Sequence, residues 1–343
     1  MQTIALDQGA GNVKAVRVDA GRIVASVGFP SLVHEAPSAM DASYFDEPGV
    51  MSITLNGTPR PYLVGKAVRE QISTALYDTA HTRYTTEDEL LRFAAAMGSL
   101  LAPSSQTIPI RLVVGLNVKA YQSDHQAVMD FYHRRHTFRF NRQPYTLSVE
   151  EVLVTSQPRG AWMCLAGQPP EPLASRLAAQ SLERSQVVIV DIGNLTTDVL
   201  VFEDGRELFE KSFALTLGVQ ALRDEVARMV AEMQRNPDPS LSVVDRAMLT
   251  GIAANATGTD TSLRPRMDAA ARALWRRIHQ SIRTKLNGVQ PHYLFVVGGG
   301  AVVFRPWIEE TWGQLPGFAI PDDPVRAVVH GYALIAKERW GCH

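Results

Sequence analysis

Asp7-Gln8-Gly9-Ala10-Gly11-Asn12-Val13-Lys14 and, 184 positions downstream, Asp191-Ile192-Gly193-Asn194-Leu195-Thr196-Thr197-Asp198 decide how this chain is read. Each octet joins two strand-like runs, residues 3–6 and 13–18 around the first, 187–190 and 199–202 around the second. A second turn then follows in both places, Asp19-Ala20-Gly21 and Glu203-Asp204-Gly205, ahead of a further strand-like run. One offset lays Asp7 on Asp191, Gly9 on Gly193, Lys14 on Asp198, Gly21 on Gly205 and Arg22 on Arg206. Strand, Asp-x-Gly turn, strand, turn, strand, found twice in register, predicts an internal duplication and two similar α/β halves.

The chemistry of the turns is that of an anion site. Gly9, Gly11 and Gly193 let backbone N–H groups approach an anion with no Cβ in the way. The Lys14 ammonium and the Thr196 and Thr197 hydroxyls add donors, whereas Asp7, Asp191 and Asp198 can stand beside phosphates only with a divalent cation between. Either turn alone could simply close a hairpin; their shared register argues for a common ligand, a polyphosphate clasped by both. A third element is Tyr293–Val297, an apolar strand running into Gly298-Gly299-Gly300, with residues 302–312 expected as a helix. Strand, glycine turn and helix N-terminus together make a phosphate or nucleotide site, because unsatisfied amides and the helix dipole point at the ligand.

The chain has 343 residues, a length that favours two domains. Lys plus Arg number 34 and Asp plus Glu 35, so the net charge of −1 supplies no global field toward nucleic acid or membrane. Direct DNA binding and direct membrane contact are therefore not expected. The two cysteines, Cys164 and Cys342, lie in no metal-ligand spacing, and residues 1–7 show no basic leader, which makes the cytoplasm the expected compartment.

Taken in order, the three motifs resemble the actin, Hsp70 and sugar-kinase superfamily, and within it the bacterial and archaeal actin-like ATPases of the ParM/StbA type. The resemblance implies an α/β actin-like ATPase fold of two ribonuclease-H-like lobes with a nucleotide cleft between them. Lobe I would hold residues 1–150 plus 322–343, with a small outer subdomain at about 30–75; lobe II would hold 151–321, with an outer subdomain at about 219–290. Two connecting helices are expected, one starting near Pro158 after Gln157, the other within residues 322–335 and returning the chain to lobe I.

By the same resemblance the cofactors are ATP and Mg2+. Gly9, Gly11, Asn12, Lys14, Gly193, Asn194, Thr196, Thr197, Gly218, Gly298, Gly299 and Gly300 are the expected nucleotide contacts, and Asp7, Asp191 and Asp198 the expected magnesium ligands. Gln157, Asp191 and Asp7 are the expected catalytic residues, Gln157 orienting the attacking water. Hydrolysis would be coupled to head-to-tail self-assembly into filaments that segregate plasmid DNA through a DNA-binding adaptor protein. Two departures are expected to slow hydrolysis without preventing binding: Ala10 stands where actins and Hsp70s often carry Ser or Thr, and Asn194-Leu195 replace a second glycine. A non-polymerising ATP-binding scaffold of the pilus-assembly type and a small-molecule kinase remain open as alternatives.

Other segments read plainly. Thr86 and Glu89 form a capping box that opens a helix. Residues 121–136 are expected to be helical, with His133 and His136 three apart on a solvated face and assigned no site. Asp268 is expected to open a basic helix carrying Arg272, Arg276, Arg277, Arg283 and Lys285, suited to a protein contact rather than to DNA.

Overall fold

In the computed structural model, residues 1–56, 58, 60–71, 83–167 and 182–341 are described. The chain divides into two compact units, Met1–Gln168 with Arg326–His343, and Pro169–Val325.

The described residues of the first unit hold nine strands: β1 (Gln2–Gln8), β2 (Asn12–Asp19), β3 (Arg22–Pro30), β4 (Val33–Glu35), β5 (Met51–Leu55), β6 (Tyr62–Val64), β7 (Ile108–Leu116), β8 (Arg135–Phe140) and β9 (Gln143–Ser156). They form one sheet in the order β3-β2-β1-β7-β9-β8-β5-β6-β4. The first three strands are an antiparallel meander, and β7 then lies parallel to β1 and β9 parallel to β7. The short strands of the 30–75 segment continue this same sheet, because β5 pairs with β8.

β1 is buried from Thr3 onward. Its even positions, Ile4 and Leu6, join a core with Leu91, Phe93 and Ala94 of the helix Glu87–Leu100 and with Val128 and Tyr132 of the helix Val118–Tyr132. On the C-terminal side, the helices Gln157–Gly167 and Ala327–Trp340 pack on each other, and the latter also touches β1 and β7. Their crossing is closed by glycine: a Cβ on Gly331 would run into the backbone carbonyl of Gly160, and one on Gly160 or Gly115 into the Tyr332 ring. This seat keeps the helix Gln157–Gly167 with the first unit.

The second unit repeats the plan. β10 (Gln186–Ile192), β11 (Thr197–Glu203) and β12 (Arg206–Glu207) form the meander, β13 (Phe213–Leu215) pairs with β11, and β16 (Tyr293–Val297) and β17 (Phe318–Ala319) follow β10 in parallel. The order is β12-β11-β10-β16-β17, the same as β3-β2-β1-β7-β9. A separate hairpin joins β14 (Ile252–Ala254) to β15 (Asp260–Ser262). Val188, Val190, Val199 and Val201 face a core supplied by the helices Val219–Gln234, Arg264–Lys285 and Arg305–Trp312.

Four local expectations are corrected. The helix after β7 ends at Tyr132, and His136 lies in β8, where the alternation of Arg135-His136-Thr137-Phe138 buries His136 and Phe138. His136 packs against the Phe93 ring at 5.0 Å, so it is a core residue rather than part of a solvated helical face. The basic helix starts at Arg264, with proline in its first turn, and not at Asp268. The glycine turn at 298 leads into two short helices, Gly299–Val303 and Arg305–Trp312, in place of one over residues 302–312.

Burial and the Arg134 charge push the His136 imidazole below its ordinary range, and burial with Arg283 does the same to His279. In the unfolded chain both titrate near 6.5. As pH falls through that value the unfolded chain takes up protons that the folded one refuses, so stability drops. Urea midpoints are expected to fall between pH 7.5 and 5.5, and His136→Gln should flatten that fall. At the glycine crossing, Gly331→Ala should cost about 1–3 kcal/mol in urea unfolding, because the obstacle is a backbone carbonyl and outweighs alanine's helix preference.

Candidate functional site

The two acidic turns occupy equivalent places in their sheets. Antiparallel pairing sets Asp7 opposite Lys14 and Gln8 opposite Val13 in the first unit, and Asp191 opposite Asp198 and Ile192 opposite Thr197 in the second. The 184-residue offset therefore maps Cα partners onto Cα partners along the whole hairpin, with a four-residue connection in both.

In the first unit, Asp7 is 2% exposed. Its Oδ2 accepts from Lys14 Nζ at 2.7 Å and its Oδ1 accepts from Gln157 Nε2 at 2.9 Å. A buried carboxylate without such partners would cost several kcal/mol, so Lys14 and Gln157 answer a need of the fold before any ligand is considered. Gln157 is delivered by the end of β9 and begins its helix, whose first turn is capped by Ser156 Oγ accepting from Arg159 N at 3.2 Å. With Nε2 committed to Asp7, the side-chain carbonyl of Gln157 is the end left to accept a hydrogen bond from water.

Successive strand residues point to opposite faces, so Gln8 turns away from Asp7 into the main core. There Gln8 Nε2 donates to Tyr132 Oη at 2.7 Å, and Tyr132 Oη donates to Glu89 Oε1 at 3.4 Å. Glu89 is 1% exposed and ion-paired with the equally buried Arg92, Nη2 to Oε2 3.0 Å. Burial and the Glu89 charge hold the Tyr132 phenol well above its usual range, which keeps it protonated and donating. Arg92 Nη1 donates to the Ser31 carbonyl at 3.3 Å, while Ser31 reaches the turn itself, Oγ to the Gly9 carbonyl at 2.6 Å and N to the Gly11 carbonyl at 3.0 Å. Thr86 is the N-cap and its hydroxyl accepts from Glu89 N at 3.3 Å, while the Glu89 side chain pairs with Arg92.

In the second unit three segments meet. Gly193 N donates to Thr196 O at 2.8 Å and closes the turn, and Thr196 Oγ1 donates to Asp198 Oδ2 at 2.8 Å. Thr197 is fully buried and its hydroxyl donates to Leu217 O at 2.8 Å, so its one O–H fixes the neighbouring segment. Val219 N donates to Gly193 O and Gln220 N to Asn194 O, and Asn194 Nδ2 donates to Gln220 Oε1 at 3.3 Å. Gly218 is needed there, since a Cβ would lie 2.5 Å from the Asn194 carbonyl oxygen. Gly298, at φ +85 and ψ 174, packs so close to Asp191 that a Cβ would strike its carboxylate, and a Cβ on Gly300 would strike Ile192. Gly299 has open space over it.

The structure thus gathers Asp7, Gly9, Gly11, Lys14 and Gln157 in the first unit, with Asn12 exposed at the start of β2. Asp191, Gly193, Asn194, Thr196, Thr197, Asp198, Gly218, Gly298 and Gly300 gather in the second, with Gly299 beside them. Among the described residues no group of three or more His, Cys, Asp or Glu is placed to hold a metal; Asp191 and Asp198 are cross-strand partners, a pair of carboxylates. Ser31, Glu89, Arg92 and Tyr132 are site-supporting residues that sequence reading missed; only the position of Gln8 beside the acid hinted at a second face. On the basic helix, whose own sequence holds the single acid Asp268, partners come from neighbours: Arg272 meets Glu310 at 2.8 Å and Arg266 meets Glu232 at 2.7 Å, exposed pairs worth little energetically. Among the described residues no helix is long and apolar enough to cross a membrane.

A repeated 3-2-1-4-5 strand order, with an acidic glycine turn after the first strand of each copy, defines an actin-like α/β protein. Residues 5–160 match the N-terminal domain of actin-like proteins, and residues 189–310 match the C-terminal domain of the archaeal actin homologue MreB-like family. The chain belongs to the actin-like proteins. Its structure is similar to that of Ta0583, an archaeal actin homolog, at TM-score 0.79 and 18% identity over 98% of this chain and 100% of that one. It is also similar to a subunit of a 15-stranded ParM filament from Clostridium botulinum, at TM-score 0.78 and 19% identity over 98% and 99%. Ta0583 in complex with ADP matches at TM-score 0.77 and 19% identity over 99% and 100%. None of the curated proteins matches the chain in sequence.

The backbone of Gly298 sits in a region of φ and ψ open essentially to glycine. Gly298→Ala is expected to cost at least about 1–3 kcal/mol in chemical denaturation, and to shift the NMR signals of Asp191 and Ile192 more than those of β12.

Proposed function

We propose that this actin-like protein binds and hydrolyses Mg-ATP and assembles with nucleotide into filaments that move plasmid DNA through a DNA-binding adaptor, in the cytoplasm. The observation that carries the reading is the doubled hairpin, identical in register and different in charge: Asp7 faces Lys14, whereas Asp191 faces Asp198. A site for a polyphosphate with its cation needs both kinds of surface, a cationic donor for phosphate oxygens and facing carboxylates for the metal.

In this reading each of the two turns is a phosphate-binding element. Lys14 and the amides of residues 9–12 bind phosphate oxygens, as do those of Gly193 and Asn194, while Gly218 and Gly298 to Gly300 let backbone approach the nucleoside side. Asp191 and Asp198 would be the magnesium carboxylates of the second unit and Asp7 that of the first. When bound, magnesium neutralises charge on the phosphate oxygens. Gln157, its amide nitrogen steadied by Asp7, presents its carbonyl to the water. Catalysis is then positioning and electrostatic stabilisation, with no covalent intermediate on the protein. The similar structures, a ParM filament and an archaeal actin homolog in complex with ADP, support the reading by analogy of fold. Open-ended assembly follows from a head-to-tail interface that does not close on itself.

Light scattering and phosphate release are to be followed together after adding Mg-ATP, Mg-ADP or a non-hydrolysable analogue. A rise in scattering with Mg-ATP, decaying as phosphate appears, is expected; scattering that stays at the nucleotide-free level removes the filament and leaves the ATPase. Asp191→Ala should abolish turnover, and wild-type rates from it would refute the site. At 100 times its dissociation constant Mg-ATP should stabilise the native state by about 2.7 kcal/mol.

A further inference from the structure

We infer that Ser31, held by the buried Glu89–Arg92 pair, is a positioning residue that presets the amide of Ala10 for phosphate; the inference rests on the nucleotide-binding reading above. Four buried side chains stand behind the first turn in one relay of hydrogen bonds. Gln8 donates to Tyr132, Tyr132 to Glu89, Arg92 to Glu89 and to the Ser31 carbonyl, and Ser31 to the carbonyls of Gly9 and Gly11. Gln8, Glu89, Arg92, Tyr132 and Ser31 are each no more than 2% exposed.

The consequence for the turn comes from the peptide group. A trans peptide is planar, with its C=O and N–H pointing in opposite directions. Pinning the Gly9 carbonyl to Ser31 Oγ therefore turns the Ala10 N–H away from Ser31 and out of the turn. Position 10 carries a methyl group in place of a hydroxyl, so its amide is the donor this residue can offer to an anion. Without Ser31 Oγ the 9–10 peptide is free to rotate, and a bound phosphate must then meet the entropic cost of ordering it.

A buried ion pair is a costly device if its only task is stability, since apolar residues of like volume often serve as well or better. Here both partners are used in direction as well as in charge. Glu89 orients the guanidinium through Nε and Nη2, which leaves Nη1 aimed at the Ser31 carbonyl. Arg92 thereby fixes Ser31 from behind, while Ser31 fixes two carbonyls of the turn in front.

The test is an equilibrium titration of the full-length protein with a fluorescent ATP analogue. Ser31→Ala should weaken binding about tenfold, and Ser31→Thr, which keeps the hydroxyl, should recover most of it. Tyr145→Phe is the control, because it removes a buried hydrogen bond to the Leu101 carbonyl in the same unit, away from the turn; it should bind as wild type does. Equal affinity of Ser31→Ala and wild type, or equal weakening by both variants, overturns the inference while wild-type binding keeps the nucleotide reading intact. Absence of binding by wild type overturns both. Should Ser31→Ala fail to fold, amide exchange in the wild type decides: the Ala10 N–H should exchange readily without ligand and slow at least about tenfold with Mg-ATP, and an unchanged rate refutes the proposal.

Discussion

Neighbouring residues of a strand must point to opposite faces, and at the end of β1 that rule falls on two polar residues, both buried. Asp7 and Gln8 cannot share partners, so each face of the sheet has to bring its own. On one face the partners are a cross-strand lysine and a glutamine from the helix after β9; on the other they are a tyrosine, a glutamate and, through them, an arginine. The turn that follows is thus gripped from both sides of the sheet. Its geometry is set before any ligand arrives, which is what an anion site made of backbone amides requires, since such amides act by their direction.

The second hairpin meets the same geometric rule with different residues. Ile192 takes the place of Gln8 and joins the apolar core, so an apolar side chain stands where the first copy begins its polar relay. The turn is instead braced from the front, by Val219 and Gln220 bonding the carbonyls of Gly193 and Asn194 and by glycines at 218, 298 and 300 that allow three segments to touch. One duplicated hairpin has therefore been stabilised in two ways, through buried polar side chains in one copy and through backbone contact in the other.

How much of this the sequence disclosed follows from the range of the interactions. The duplication and the hairpin register were legible because they rest on local alternation and on turn residues, and the pairings Asp7 with Lys14 and Asp191 with Asp198 lie within one octet. The relay behind the first turn was not legible: Gln8 meets Tyr132 across 124 positions and Arg92 meets Ser31 across 61. The Thr86-x-x-Glu89 pattern reads as a helix start, and nothing local shows that the Glu89 side chain also pairs with Arg92 in the core. His136 reads as helical for a similar reason, a short run of charged and aromatic residues being compatible with either period until Phe93 and the pairing with β9 select the strand. Such failures fall where a tertiary partner overrules a local preference.

The position of Gln157 shows how far that dependence reaches. Its helix is located by β9 at its start and by the Gly160 contact with the helix Ala327–Trp340 in its first turn, so the partner of a carboxylate at position 7 is seated by residues more than 300 positions later. A contact of that span carries a loop-closure cost that must be met before it stabilises anything. β1, β2 and the Asp7–Lys14 pair can form from neighbouring residues alone, whereas Gln157 reaches its place only when the first unit is closed by its C-terminal helix. The charge pair at the turn is accordingly a local property of the chain, and the Gln157 amide that bonds Asp7 beside it is a property of the completed fold.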